Sequence, residues 1–353
     1  MWVYYLFFSI VFIACFASEK RKSTLVCATI ALALWLLIGL RDSSVGSDTG
    51  GYLADFHLFA KMGFVEMWRT AVSFREPLYV IISWLIAAVS VNDTFYLLVW
   101  ALFPAISLFF VFRKYLIDGK EYFASILVFF ILGLFAFYVA GIRQTAALSI
   151  TLLSFRFIHE KKVLSFLLCI VVATMIHSSA VLFVIAYPLR YLKIRWWFVI
   201  IALALFILAS RIQLDSVFMV SQFFFGQRFE NYAVEYESTQ SVTAFLIQLL
   251  LFVLCLFKAK PLIEKDIQNN VLFVLVFIGL VFQSLASMMA EMSRVSFYFC
   301  IFYLILVPRA LSLFGKNRIT APIVLLFAAG CLIYLFALSS SNLPDYQLAS
   351  FLR

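Results

Sequence analysis

The stretch TLVCATIALALWLLIGLRDSSVGSDTGGY, residues 24–52, decides the fold class of this chain. Residues 24–40 are uncharged and mainly apolar, and they approach the length of a helix that crosses the hydrocarbon core of a bilayer. Charged, hydroxyl and glycine residues follow from Arg41 onward, as expected where a chain leaves the bilayer for water. The stretch therefore predicts a membrane helix that ends in a polar loop.

The rest of the chain has the same character. Of its 353 residues, 65% are hydrophobic and 13% are charged, and the mean hydropathy is +1.06, which is too apolar for a soluble domain. The charges fall in short intervals between apolar runs. We therefore predict an all-α polytopic integral membrane protein. It would form a single integral domain, residues 1–353, with about 12 transmembrane helices and one re-entrant segment.

The distribution of lysine and arginine predicts the topology. Basic residues cluster in alternate connections, which the positive-inside rule assigns to the cytoplasm, so two long loops, about 41–76 and 211–241, are expected outside. The apolar runs 77–91 and 95–112 cannot both cross with this topology, and we favour the shorter run, 77–91, as re-entrant. Residues 52–71 have apolar positions at helical spacing and predict an amphipathic helix along the outer surface.

Basic residues on the predicted outer side are nearly all arginine. Lysine would set topology equally well, whereas the planar guanidinium suits bidentate binding of phosphate. An anionic ligand on the outer face would account for this bias, although Arg143 could also snorkel at a helix end and Glu291 could neutralise Arg294. The candidate anion-binding residues are Arg41, Arg75, Arg143 and Arg294.

Four residues on the same predicted face could transfer protons. His177 ends an outward run and is either an acid–base group or a packing residue. Glu76 stands directly before Pro77 and is either a general base or the ion-pair partner of Arg75. Asp48 and Glu291 are the other two candidates. In the first outer loop, Asp42 and Asp48 offer acceptors for sugar hydroxyls, and the alternative there is a flexible polar loop.

The sequence contains no pattern typical of a metal, nucleotide or nucleic-acid site. Its six cysteines lie in apolar runs without a C-x-x-C pair, and its three histidines lack metal-ligand spacing. Walker A, Rossmann glycine and D-x-D patterns are absent. The net charge of +9 is explained by membrane topology. We predict no metal, no cofactor and no nucleic-acid partner.

Five short motifs carry a family resemblance: GLRDSSVGSDTGGY at 39–52, REPLY at 75–79, GIRQTAA at 141–147, MIHSSAV at 175–181 and SRVSFYF at 293–299. In this order they resemble the EpsG-like, Wzy-type polysaccharide polymerases of bacteria. The resemblance implies a glycosyltransferase of the bacterial inner membrane with its active site facing the periplasm. Such an enzyme polymerises oligosaccharide repeat units carried on undecaprenyl diphosphate into O-antigen or a related surface polysaccharide.

The resemblance also implies roles for the candidate residues. Arginines would stabilise the diphosphate leaving group without a metal, and one of His177, Glu76, Asp48 and Glu291 would activate the acceptor hydroxyl. Sugar contacts are assigned to Asp42, Tyr52, Gln144, Arg211, Arg228 and Tyr232. Expected partners are the undecaprenyl-diphosphate-linked oligosaccharide, membrane lipid and a chain-length regulator.

Other functions are compatible with an outer anion site. A ligase that moves finished glycan from the same carrier, or an acyltransferase, would use the same face. A flippase for lipid-linked oligosaccharide would need polar residues through the depth of the membrane, whereas the apolar runs contain few.

Overall fold

The computed structural model describes residues 1–17, 22–74, 76–211, 238–286, 288–289, 291–315, 321–338 and 343–349, with side chains of 238–241 outside the description. Within these ranges the chain is helical, and its extended pairing is limited to an isolated antiparallel bridge between Arg41 and Leu348. Contacts divide the chain into two compact units. The first unit comprises Met1–Tyr187 with Leu311–Arg353, and the second comprises Pro188–Ala310. The single integral domain stays a prediction.

The described residues in the N-terminal part of the first unit form ten α-helices and a following 3-10 helix. They are α1 Trp2–Ala17, α2 Thr24–Gly39, α3 Thr49–Ala60, α4 Phe64–Ser73, α5 Pro77–Val89, α6 Asp93–Tyr115, α7 Gly119–Ile131, α8 Leu134–Ala140, α9 Ile142–His159, α10 Val163–Ile176 and the 3-10 helix Ser178–Ile185. Two elements follow in its C-terminal part, the α-helix Ala321–Ile333 and the π-helix Tyr334–Leu338.

Polar residues at the ends of the apolar runs set where several helices begin. The side chains of Ser23, Asn92 and Asp118 each accept a hydrogen bond from a backbone N–H in the first turn of α2, α6 and α7 respectively. Pro77 occupies the first position of α5, where its missing N–H has no intrahelical partner to lose. These caps agree with the loops predicted between the runs.

One predicted helix and one apolar run are each interrupted. The expected amphipathic helix over 52–71 is wrong as a single element, because α3 ends at Ala60 and α4 begins after Gly63. The apolar run over 123–140 is likewise divided into α7 and α8, which are bent by 62°. Gly133 lies at this break with a φ of 72°, a left-handed conformation that glycine adopts without steric cost.

Helix length does not confirm the number of crossings. Among the described residues, α6 with 23 residues is by itself long and apolar enough to cross a bilayer, and three bent pairs that pass together raise the number to four. Eight further apolar helices have 10–17 residues, fewer than the about 20 that a straight crossing needs. Twelve crossings stay a prediction, as does the re-entrant role of α5, which has 13 residues.

Helix α9 lies in the core of the first unit. Helices α6 and α10 pack on α9, and α2 packs on α6, while α3 and α4 pack on α5. The hydroxyls of Ser149, Thr151 and Ser154 donate to carbonyls of α9 itself, so burying these polar side chains leaves no donor unsatisfied. Helix α10 also contacts α5. The starts of α5 and α9 therefore lie near the end of α10.

A segment near the C-terminus pairs with the chain just after α2. The Asp42 N–H donates to the Gln347 carbonyl at 2.8 Å, and the Ala349 N–H donates to the Leu40 carbonyl at 2.9 Å. The Tyr346 hydroxyl donates to the Leu37 carbonyl at 2.8 Å. Residues 343–349 thereby cover the chain at Arg41, which explains how a residue outside a helix becomes buried.

In the described part of the second unit there are five helices, and two more described elements are divided between the units. The five are Phe198–Ala209, Ser238–Leu256, Ala259–Lys265, Asn269–Leu285 and Glu291–Cys300, and the two divided elements are Ala186–Leu189 and Tyr303–Phe314. A Cβ on Gly279 would lie 2.8 Å from the Cys300 amide nitrogen, so glycine is needed for close helix packing. The Ser296 hydroxyl donates to the Gly279 carbonyl at 2.8 Å. Polar residues inside this unit therefore stabilise helix packing.

Candidate functional site

The carboxylate of Glu76, directly before Pro77, is the centre of a cluster of side chains. Its Oε2 accepts a hydrogen bond from Nη1 of Arg143 at 2.8 Å. Its Oε1 lies 2.8 Å from Nδ1 of His177 and accepts from the Ser178 N–H at 3.0 Å and the Ser178 hydroxyl at 3.3 Å. Both oxygens of the carboxylate are therefore engaged. We call Glu76, Arg143, His177 and Ser178 the Glu76 cluster.

Three helix ends bring the Glu76 cluster together. Glu76 precedes α5, Arg143 is the second residue of α9, and His177 follows the last residue of α10. His177 has extended backbone, with φ −151° and ψ 118°, so the chain leaves α10 there and Ser178 turns its N–H towards Glu76. The sequence predicted Glu76, Arg143 and His177 as separate candidates, and the structure places them in contact.

Arg143 combines a fixed position with access to solvent. Its guanidinium lies over the rings of Tyr52 and Tyr79, 5.2 and 4.9 Å from their centroids, which is within cation–π range. Its Nε is buried without a hydrogen-bond partner, and 26% of its side chain is exposed. The arginine is thus held on two sides, and part of its side chain remains open to a ligand.

The environment of Glu76 favours its charged form. Burial alone would raise the pKa of Glu76, but contacts with His177, Arg143 and the Ser178 N–H outweigh burial and lower the pKa from 4.5 to about 2. A carboxylate with this pKa is a weak base near neutral pH. Of the two roles weighed from sequence, ion-pair partner fits this geometry better than general base. Its described partner is Arg143, and Arg75 lies outside the described residues.

Glu76 also orients His177. With Nδ1 beside the carboxylate, the other ring nitrogen, Nε2, is the one that can face a substrate. The His177 side chain is 23% exposed, compared with 7% for Glu76. A buried carboxylate that orients a more accessible imidazole is an arrangement suited to general-base chemistry.

Three residues support the site but were not predicted from sequence. Tyr79 donates to Asp55 Oδ2 at 3.2 Å and lies edge-on to Tyr52, with ring centroids 6.1 Å apart. Trp100 packs against Tyr79 at 5.9 Å. Tyr79 follows Glu76 by three residues in the REPLY motif, and this closeness in sequence is the signal that could have identified it.

The structure places Arg41 away from the surface. Its side chain is 1% exposed, and its Nε and Nη1 donate to the carbonyls of Val45 and Ile38. A predicted role in diphosphate binding requires access that Arg41 does not have in this conformation. The guanidinium instead lines a small internal cavity.

The predicted sugar-binding residues of the first unit have varied environments. Tyr52 is 7% exposed with its ring against Arg143, so it does not offer an open face for stacking on sugar. Gln144 is 3% exposed within α9. Asp42 accepts from the Ser44 N–H and hydroxyl at 3.0 and 2.8 Å, and Asp48 accepts from the Ser47 hydroxyl at 3.0 Å. These two carboxylates order the polar loop locally.

The remaining candidates lie in the second unit or outside the described residues. Glu291 and Arg294 are in the helix Glu291–Cys300, and Arg211 is exposed just after the helix Phe198–Ala209. Arg228 and Tyr232, like Arg75, fall outside the described residues. In the described part of the chain, no group of three His, Cys, Asp or Glu residues could hold a metal ion.

Comparison with known proteins identifies the family. The sequence profile of the EpsG family matches residues 24–350, which is nearly the whole chain and includes every residue of the Glu76 cluster. Comparison with curated proteins and with solved structures gives no match. The match over residues 24–350 confirms the resemblance seen in the five motifs, and the chain belongs to the EpsG family.

Proposed function

We propose that this chain is a polysaccharide polymerase whose active site is the Glu76 cluster. The observation that carries the proposal is that one buried carboxylate holds an arginine and a histidine side by side, each at 2.8 Å and each partly exposed. Membership of the EpsG family, which points to polysaccharide polymerisation in a membrane, supports this reading. The reaction would transfer a growing glycan from its lipid diphosphate carrier onto the next lipid-linked repeat unit.

Arg143 binds the diphosphate in this proposal. When the glycosyl–phosphate bond breaks, negative charge develops on the leaving phosphate, and a fixed cation near that oxygen lowers the barrier. The partial exposure of the Arg143 side chain gives the diphosphate access to the guanidinium. Glu76 fixes the guanidinium before substrate binds, so little reorganisation is needed during reaction.

His177 acts as the general base. Its Nε2 takes the proton of the acceptor hydroxyl while that oxygen attacks the anomeric carbon, and the bond electrons leave with the diphosphate. Glu76 stabilises the imidazolium that forms, through the contact at Nδ1. Glu76 is a positioning residue, because its own oxygens are already engaged.

The proposal extends to cellular setting and partners. We place the enzyme in the bacterial inner membrane with the Glu76 cluster facing the periplasm. Its substrate is oligosaccharide on undecaprenyl diphosphate, and a chain-length regulator is a further partner. Because the glycosyl diphosphate bond supplies the free energy of transfer, the reaction needs no nucleotide sugar and no metal.

The proposal is tested with the purified full chain in detergent, supplied with a lipid-linked oligosaccharide repeat from the producing organism and with chelator but no nucleotide. Electrophoresis should resolve a ladder of products spaced by one repeat. Transfer of a single finished glycan to a different acceptor would indicate a ligase instead. Vesicles that move labelled lipid-linked oligosaccharide between leaflets without lengthening it would indicate a flippase.

A further inference from the structure

A small cavity lies inside the first unit, next to the Glu76 cluster but separate from it. Its volume is about 10 Å³, which is room for about one water-sized group. Most of its lining is apolar, and its polar lining consists of Arg41, Trp100, Tyr138 and Thr145. Trp100 packs against the ring of Tyr79, and the guanidinium of Arg143 also lies over this ring. Trp100 and Tyr79 therefore connect the cavity to Arg143 of the proposed active site.

Arg41 brings an uncompensated positive charge to this cavity. Two of its nitrogens donate to backbone carbonyls, but Nη2 is buried without a hydrogen-bond partner. Among the residues that the structure describes, no carboxylate lies within ion-pair distance of Arg41. Burying an isolated charge is strongly unfavourable unless a counter-ion or several hydrogen bonds compensate it.

Two neutral donors that line the cavity with Arg41 also lack hydrogen-bond partners. The indole Nε1 of Trp100 and the hydroxyl of Thr145 are buried without partners, and each residue is 3% exposed. An indole N–H and a guanidinium can only donate, and a hydroxyl can donate. Three unsatisfied donors thus belong to side chains that line one cavity, and none of the lining residues is acidic.

We propose that this cavity is a binding site for one small inorganic anion of halide size, held by Arg41, Trp100 and Thr145. The volume is too small for a diphosphate or a sugar, so the ligand is not the substrate. A water molecule could accept hydrogen bonds from two of the donors, but it would leave the charge of Arg41 without a counter-charge. An anion satisfies the donors and neutralises the guanidinium together.

The anion has a structural consequence for the active site. By fixing Trp100 it holds the ring against Tyr79, whose other contacts include Asp55 and the guanidinium of Arg143. Removing the anion should therefore loosen Arg143 without changing any residue of the Glu76 cluster. This site goes beyond the proposed function and does not depend on it.

The test uses the full chain purified in sodium bromide and in sodium gluconate at equal ionic strength. Crystals grown in bromide should show an anomalous peak between Arg41, Trp100 and Thr145. The midpoint of thermal unfolding should rise with bromide concentration and saturate. A cavity without anomalous signal, holding one water or nothing, would overturn the proposal. An unfolding midpoint that is equal in bromide and in gluconate would also overturn it.

Conservative variants identify the donors. Trp100→Phe and Thr145→Val keep shape and each remove one donor, so each should weaken bromide binding by about tenfold to a hundredfold, since hydrogen bonds to a charged group contribute about 1.5–3 kcal/mol. Thr151→Val is the matched control, because Thr151 lies on the same helix and its hydroxyl donates to the Leu148 carbonyl instead. Equal bromide affinity in all three variants would also refute the site.

Discussion

At the scale of single residues, Glu76 is a buried carboxylate whose charge is compensated by its neighbours. Its side chain is 7% exposed, yet it is charged because Arg143, His177 and Ser178 all contact its two oxygens. A buried carboxylate without such partners would take up a proton instead. In the proposed site, Glu76 therefore acts by holding Arg143 and His177 in place.

Replacing this carboxylate should reduce stability in a pH-dependent way. The pKa of Glu76 is lowered to about 2 from 4.5, so its stabilising contribution is complete above about pH 4.5 and is lost as pH falls towards 2. Glu76→Gln should lower stability at neutral pH by about 1.5–3 kcal/mol, and should lose less stability than wild type on acidification. Thermal unfolding in detergent at several pH values measures both effects.

Glu160→Gln is the control for this experiment. Glu160 is paired with Lys162 at 2.9 Å, but the Lys162 side chain is 60% exposed and solvent weakens such a surface pair, so the change should leave the unfolding midpoint near that of the wild type. If Glu76→Gln and Glu160→Gln had the same unfolding midpoint at neutral pH, the ion pairs of Glu76 would not stabilise the fold as described.

The base role of His177 predicts chemical rescue. His177→Ala should slow polymerisation by about a hundredfold to ten thousandfold, because a positioned base is lost. Added imidazole should restore part of the rate, since the site is partly open and the Glu76 carboxylate remains to orient it. The measurement is the rate of ladder formation with and without imidazole.

His57→Ala provides the comparison. His57 pairs with Asp93 at 2.8 Å on the surface and should affect the rate little. A His177→Ala enzyme that keeps the wild-type rate would show that another group activates the acceptor.

At the scale of elements, the polar loop after α2 depends on one glycine. Gly46 has a φ of 96°, and a Cβ there would lie 2.6 Å from the Val139 carbonyl oxygen. Gly50, in contrast, lies in the first turn of α3, where a Cβ would meet nothing within 4 Å. The two glycines thus have opposite tolerance for a side chain.

A pair of substitutions tests this difference. Gly46→Ala should destabilise the protein by about 1–2 kcal/mol from the left-handed backbone alone, with more from the contact with Val139. Gly50→Ala should stabilise it by about 0.4–1 kcal/mol, because alanine loses less backbone entropy in a helix. Thermal unfolding midpoints that shift in the same direction for both variants would contradict this account of the loop.

At the scale of the whole molecule, the sequence predicts the helical membrane character and most of the Glu76 cluster. Arg143, His177 and Glu76 could be identified because a charged or titratable group at the end of an apolar run is conspicuous. The burial of Arg41 could not be predicted, because it depends on pairing with Leu348, about three hundred residues later. Contacts of this kind leave no periodic signal in the sequence. The number of membrane crossings and the side of the membrane that the site faces stay predictions.

The most direct test of the central claim compares two arginines on α9. Arg143 lies at the start of α9 and belongs to the Glu76 cluster. Arg156 lies near the other end of α9, where it is 54% exposed and 3.7 Å from Glu160. With purified protein and a lipid-linked repeat, Arg143→Ala should slow ladder formation by about a hundredfold or more when variants are compared at equal amounts of folded protein. Arg156→Ala should stay near the wild-type rate. Long products formed by Arg143→Ala at the wild-type rate would contradict the assignment of the Glu76 cluster as the active site.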